Sequence, residues 1–153
     1  MALELGRTTD RKPPFKYSSL TRVGFSDTDA QGIVYYGRYL PYFDSARVEY
    51  HRHLELLETM PALGEAEFVM RANSIEYHAP ARFDDLLECF VRISRIGRTS
   101  VTYDVAAYRL PDDELMVTGT QTVVLIDVAT RRPVPVPEHA AARVREFEGS
   151  DLT

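Results

Sequence analysis

FSDTDAQGIVYYGRYLPYFDSARVEY runs from Phe25 to Tyr50 and changes character half-way along. Its first part, Ser26-Asp27-Thr28-Asp29-Ala30-Gln31-Gly32, is built of turn formers. Asp, Ser and Thr side chains bond nearby backbone and Gly tolerates positive φ, so this is a loop of defined shape. From Tyr36 the pattern becomes helical. Tyr39, Phe43, Ala46, Tyr50, Leu54 and Leu57 recur at intervals of three and four, and Arg38, Ser45, Glu49, Arg52 and Glu55 between them are polar. Pro41 falls in the first turn, where proline is tolerated. The period predicts one long helix from Tyr36 to Glu58, about six turns, stopping near Met60-Pro61 with Gly64 just beyond.

Outward from this helix the chain reads as strands. Upstream, Tyr17, Leu20, Val23 and Phe25 predict a first strand over Tyr17 to Phe25. Downstream, Glu67 to Tyr77 is one strand, closed by His78-Ala79-Pro80-Ala81. Leu86 to Ile96 is the next, with Leu87, Cys89, Val91 and Ile93 on one face. After Gly97-Arg98, Val101, Tyr103, Val105 and Ala107 alternate with Thr102, Asp104 and Ala106. Leu110-Pro111-Asp112-Asp113 makes a second hairpin turn, and Leu115 to Val128 follows. Its apolar run Val123-Val124-Leu125-Ile126 suggests a central strand buried on both faces. A short helix over Pro135 to Glu148 closes the chain, with Pro137 at its start. Short connections predict that the last four strands are antiparallel neighbours in chain order. The class is α+β: one long helix burying its stripe on an antiparallel sheet of five to six strands. Residues 1–14, polar and ending in Pro13-Pro14, read as a mobile tail before a single domain over 15–148.

Composition narrows the function. Of 153 residues, 44% are hydrophobic and 27% charged, a globular profile with no apolar run long enough to span a bilayer. The formal net charge is −5, and the arginines are scattered rather than gathered in a stripe, which argues against nucleic acid as a partner. The N-terminus has no apolar core of a secretory signal, and Cys89 is the single cysteine; both predict a cytoplasmic protein without disulfides. Cys89 lies in an alternating apolar stretch and reads as a buried structural thiol. His51 and His53 sit two apart on the helix and face different directions, so no shared metal is expected. No cofactor is implied.

The chemistry centres on the loop feeding the helix. A helix N-terminus carries unpaired N–H groups and partial positive charge, which can polarise a carbonyl and hold the oxyanion that forms on it. Asp29 lies a few residues upstream, so a carboxylate and an oxyanion donor can face one substrate, as acyl transfer requires. On residue chemistry alone, Asp27 and Asp29 could equally be turn and cap residues.

The stretch DTDAQGIVYYGRYLPYFDSAR resembles the signature of the 4-hydroxybenzoyl-CoA thioesterase family, which includes the YbgC-type acyl-CoA thioesterases. Asp27, Asp29, Gly32, Val34, Tyr36, Tyr39, Asp44, Ala46 and Arg47 carry the likeness, and IEYHAPARFDDLLE from Ile75 resembles the family's second block. The resemblance spans Tyr17 to Val128 and implies a hotdog fold. It implies that Asp29 is the catalytic carboxylate, acting as nucleophile or as base for water, and that the backbone N–H of Tyr36 polarises the thioester carbonyl. Gly32, Tyr35 and Gly37 are implied as substrate-binding, and Arg82, Arg95 and Arg98 as candidates for the CoA phosphates. Asp27 is expected to shape the loop rather than react. Many members of this family carry His where this chain has Tyr36, so only the backbone role transfers. The implied reaction is hydrolysis of an acyl-CoA, with the chain assembled as a homodimer or homotetramer. A thioesterase for carrier-protein-bound acyl or polyketide chains and a non-catalytic acyl-CoA-binding module are the alternatives. A hotdog hydratase would use a His in the loop–helix region, and none occurs between Thr21 and Tyr50.

Overall fold

The computed structural model describes residues 3–57 and 65–153. Its elements are β1 (Gly6–Thr8), β2 (Tyr17–Arg22), α1 (Tyr39–His53), β3 (Ala66–Tyr77), β4 (Leu86–Ile96), β5 (Ser100–Leu110), β6 (Glu114–Asp127) and α2 (Glu138–Glu148). The strands form one antiparallel sheet in the order β1-β2-β4-β5-β6-β3.

The long helix is shorter than its period predicts. Tyr36–Arg38 form a 3₁₀ turn, and the α-helix begins at Tyr39. Pro41 is then the third helical residue, where an N–H has no intrahelical acceptor in any case. Glu55 takes φ +57°, the left-handed conformation that ends helices, so Leu57 stands 39% exposed outside the stripe. Glu58, Met60-Pro61 and Gly64, the expected helix end, lie outside the described residues. Tyr39, Phe43, Ala46 and Tyr50 are buried, as are Leu87, Cys89, Val91 and Ile93 on β4 beneath them. Each large side chain in such a stripe contributes about 1.5–3 kcal/mol, so tertiary burial rather than helix propensity holds α1 in place.

Two further expectations need correction. The first strand stops at Arg22, and Phe25 lies in a 3₁₀ turn with its ring 83% exposed. The last four strands are not neighbours in chain order: β4, β5 and β6 are, but β3 pairs with β6 on the far edge. Residues 78–85 carry the chain across the end of the sheet, a span of three strand spacings or about 14 Å, which eight residues cover easily. β6 is thereby flanked on both sides, as its apolar run suggests.

Residues 3–14 hold contacts that the tail reading does not anticipate. β1 pairs with β2. Arg11 donates to Glu88, a fully buried carboxylate on the back of β4 that also accepts from Ser18 Oγ at 2.6 Å. Phe15 packs on Phe90, ring centres 5.8 Å apart, and Lys12 Nζ lies 4.4 Å from the centre of the Tyr108 ring. The segment is a strap over the rear face of the sheet.

Candidate active site

The loop of the opening stretch closes on itself by backbone bonds. Asp29 N–H donates to Ile33 O at 3.0 Å and Gly32 N–H to Asp29 O at 2.9 Å, with Gly32 at φ +78°. Thr28 and Val34 form an antiparallel bridge on either side. The hairpin is pinned to its surroundings by Val34 N–H to Ala81 O at 2.8 Å and Tyr35 N–H to Asp27 O at 2.9 Å. Gly32 is needed for its positive φ; nothing lies within 4 Å of where a Cβ would stand, so the loop backbone there is open to a ligand.

The two aspartates part company here. Asp27 is buried, and its carboxylate accepts from Gly24 N–H at 2.8 Å, Arg38 Nε at 2.6 Å and Tyr42 Oη at 2.7 Å. Burial alone pushes its pKa up, but those three donors together hold the carboxyl below its usual range. It ties the loop to the first turn of α1. Asp29 is half-buried, its carboxylate accepts from Gln31 N–H at 2.8 Å, and it lines a cavity of about 310 Å³.

Tyr36, Tyr39, Tyr77 and His78 share that cavity with Asp29. Tyr36 is the first residue of the 3₁₀ turn, a position whose N–H a helix leaves without an intrahelical acceptor. Tyr77 Oη donates to Tyr36 O at 2.9 Å, fixing that peptide. The Tyr35 and Tyr36 rings lie 4.5 Å apart, and Tyr35 folds back over Gly37, where a Cβ would come within 2.9 Å of the ring. Burial raises the Tyr39 hydroxyl to about 12, so it is a neutral donor or acceptor at pH 7.

Asp29, Gly32, Tyr35, Tyr36 and Gly37 are thus gathered at one end of the sheet. Arg82 joins them, next to Ala81 in the connection that pins the loop; its backbone N–H bonds Asp85, and among the described residues its guanidinium has no ion-pair partner. Arg95 and Arg98 are not brought there within one chain. They stand at the opposite end of β4, about 30 Å away by strand rise. Sequence reasoning missed Tyr77 and His78 as site residues. Their signal was present in IEYHAPAR, since a strand end leading into Pro80 turns both towards the loop.

The sequence profile of the thioesterase-like superfamily matches residues 23–144. The chain belongs to this superfamily. An acyl-CoA thioester hydrolase YbgC from Escherichia coli O6:H1 is 30% identical over 125 residues, covering 82% of this chain and 92% of that protein. The acyl-CoA thioesterase YbgC of Haemophilus influenzae is 33% identical over 128 residues with the same shares covered. Among solved structures, a 1,4-dihydroxy-2-naphthoyl-CoA thioesterase from Synechocystis superposes with a TM-score of 0.78 over 86% of this chain and 96% of its own, at 20% identity. The hotdog fold, the family and the thioester-hydrolase class expected from the sequence are the ones found.

Proposed function

We propose that the chain hydrolyses acyl-CoA thioesters to the free acid and CoA, with Asp29 as its reacting carboxylate. The observation that carries this reading is that Asp29 and Tyr36, the first residue of a helical turn, line one cavity. The thioester carbonyl accepts from the Tyr36 N–H, which takes up charge as the carbonyl becomes an oxyanion. Asp29 then either attacks the carbonyl carbon, giving an acyl–aspartyl anhydride that water cleaves, or removes a proton from the water that attacks. On either route the C–S bond breaks, CoA leaves as the thiolate and takes a proton, and the carboxylic acid keeps an oxygen from water. Asp27, Arg38 and Tyr42 hold the loop in register with the helix.

The same reading assigns Arg82 to the CoA phosphates of its own chain, and Arg95 and Arg98 to those of a neighbouring copy. A homodimer or homotetramer supplies that neighbour, and β3, an edge strand of twelve residues beside the cavity with its outer side open, is the natural seam. An acyl-CoA substrate and a lone cysteine fit a cytoplasmic enzyme.

The test is free-thiol release from a panel of aromatic and aliphatic acyl-CoAs by wild type and Asp29→Asn. Turnover that falls about 10²–10⁴-fold in the variant supports the reading. Equal turnover by both would remove Asp29 from the mechanism. Tight acyl-CoA binding without turnover would favour a binding module, and activity only on carrier-protein thioesters would change the substrate class.

A further inference from the structure

A row of polar side chains crosses the sheet beside α1 and takes no part in the reaction site. Asn73 on β3, Gln121 on β6 and Tyr103 on β5 are register partners on adjacent strands. Gln121 is 1% exposed and Tyr103 3%. Gln121 Nε2 donates to Asn73 Oδ1 at 3.1 Å, and Arg47 on α1 donates to Gln121 Oε1. The Arg47 guanidinium lies 5.5 Å from the centre of the Tyr103 ring. His51, one turn further along α1, shares a hydrogen bond with the Tyr103 hydroxyl. Burial lowers His51 to about 4, so it is neutral at pH 7 and the positive charge here is that of Arg47. Asp44, the carboxylate paired with Arg47, is 60% exposed on the solvent side.

These residues line a cavity of about 580 Å³ whose other walls are apolar, among them Leu40, Val48 and Val123. Apolar side chains would fill such a layer without the desolvation that buried polar groups cost. Arg47 also keeps donors in hand: its bonds to Gln121 and Asp44 use two of the five N–H groups a guanidinium carries.

The cavity neighbours the reaction site along α1, with Leu40 lining the one and Tyr39 the other. The same helix and edge strand line both in matching order: Tyr39 and Tyr77 at Asp29, then Leu40 and Asn73, then Phe68 at the far end, where Leu57 beyond the end of α1 joins it. A bulge between Met70 and Ala72 shifts the parity of β3, so that Phe68, Met70, Asn73 and Tyr77 all serve this one groove. Arg47 is eleven residues beyond Tyr36. The helical rise, less the lean of a helical side chain towards the N-terminus, puts its head on the order of 10 Å from the carbonyl-polarising N–H.

Resting on the thioesterase reading, we infer that the Asn73–Gln121–Tyr103 row with Arg47 recognises the far end of the acyl group. The thioester carbonyl sits at Tyr36, the chain runs along the α1–β3 groove, and its distal hydroxyl or carboxylate oxygen is received by Arg47, Tyr103 and Asn73. The preferred substrates are medium-length acyl-CoAs carrying such an oxygen.

The experiment compares kcat/KM by free-thiol release for octanoyl-CoA, 8-hydroxyoctanoyl-CoA and the CoA monothioester of octanedioic acid. Wild type, Tyr103→Phe and Asn73→Leu are assayed, each checked by thermal melting. Wild type is expected to favour an oxygenated chain by about tenfold or more, with the ratio falling several-fold in each variant. Preference for the diacid would show that the Arg47 charge is used; preference for the alcohol, that neutral donors suffice. Wild type hydrolysing octanoyl-CoA as well as either oxygenated chain, ratios unmoved by both variants, or turnover of other acyl-CoAs with none of these three, would each overturn the inference alone. No hydrolysis of any acyl-CoA would overturn the thioesterase reading and this inference with it.

Discussion

Asp27→Asn and Asp29→Asn are the same change two residues apart, and the proposed mechanism predicts opposite phenotypes from them. An Asn at position 27 can still present one oxygen to Gly24 N–H and Tyr42 Oη, which share Oδ2 in the wild type. Its amide nitrogen then faces Arg38 Nε, donor against donor. Arg38 is 45% exposed, so losing that ion pair costs only about 1 kcal/mol. The two remaining bonds go from a charged to a neutral acceptor, about 1 kcal/mol each. The sum is about 3 kcal/mol, or a fall in Tm of about 6–12 °C for a domain of this size. Because the folded carboxyl titrates below its unfolded value, its stabilisation is present above the unfolded pKa and is lost as pH falls through the folded one. The gap between wild type and Asp27→Asn should therefore be full at pH 7 and close below about pH 4. Asp29→Asn keeps an amide oxygen for Gln31 N–H and only trades a charged acceptor for a neutral one at a half-buried site, under about 1 kcal/mol, while the proposed mechanism has it lose most turnover. The assay is urea unfolding across pH 3–8 beside free-thiol release at a temperature where both variants are folded. An Asp27→Asn protein within about 0.5 kcal/mol of wild type at pH 7, or an Asp29→Asn protein destabilised as much as Asp27→Asn, would refute this division of roles.

Two other substitutions and a truncation probe different parts of the molecule. Gly37→Ala puts a Cβ against the Tyr35 ring; the ring must swing away, and KM should rise more than kcat falls, whereas unchanged kinetics would free Tyr35 of any part in binding. Glu148 is fully buried, with no hydrogen-bond partner for Oε1 among the described residues and Oε2 accepting from Tyr50 Oη at 2.6 Å; burial holds its pKa above the usual carboxylate range. Its contribution is full below the unfolded pKa and is lost as pH rises through the folded one, so Glu148→Gln should gain relative to wild type as pH increases, read as the difference in Tm between pH 4 and 8. Removing residues 1–14 takes Arg11 away from Glu88 and from the Phe90 ring and should lower Tm, while an unchanged melt would mean the strap contributes nothing to the fold.

What could be read along the chain was whatever repeats over a few residues. The stripe Tyr39, Phe43, Ala46, Tyr50 and the row Leu87, Cys89, Val91, Ile93 are periodic because one face of each element is dry, so both were legible as a helix and a strand packed together. The turn formers of 26–32 and the helix start beside them marked the candidate reaction loop, and the family likeness singled out Asp29 within it.

What pairs across the sheet had no such mark. Nothing in the residues of β3 says that it joins β6 rather than β4; the crossover through 78–85 decides it, and long-range pairing follows the whole sheet rather than any one strand. The strap of residues 3–14 was illegible for the same reason, since basic and proline residues look solvated until Glu88 and the Tyr108 ring are brought under them. Asp27 and Asp29 are one residue type in one loop, and only the closed hairpin turned one inward to Arg38 and Tyr42 and left the other facing the cavity. The sequence by itself determined the elements, because burial of one face leaves a local period; the tertiary structure alone determined strand order, the Asn73–Gln121–Tyr103 row and the donors that hold Asp27, because these rest on contacts between residues that no local period links.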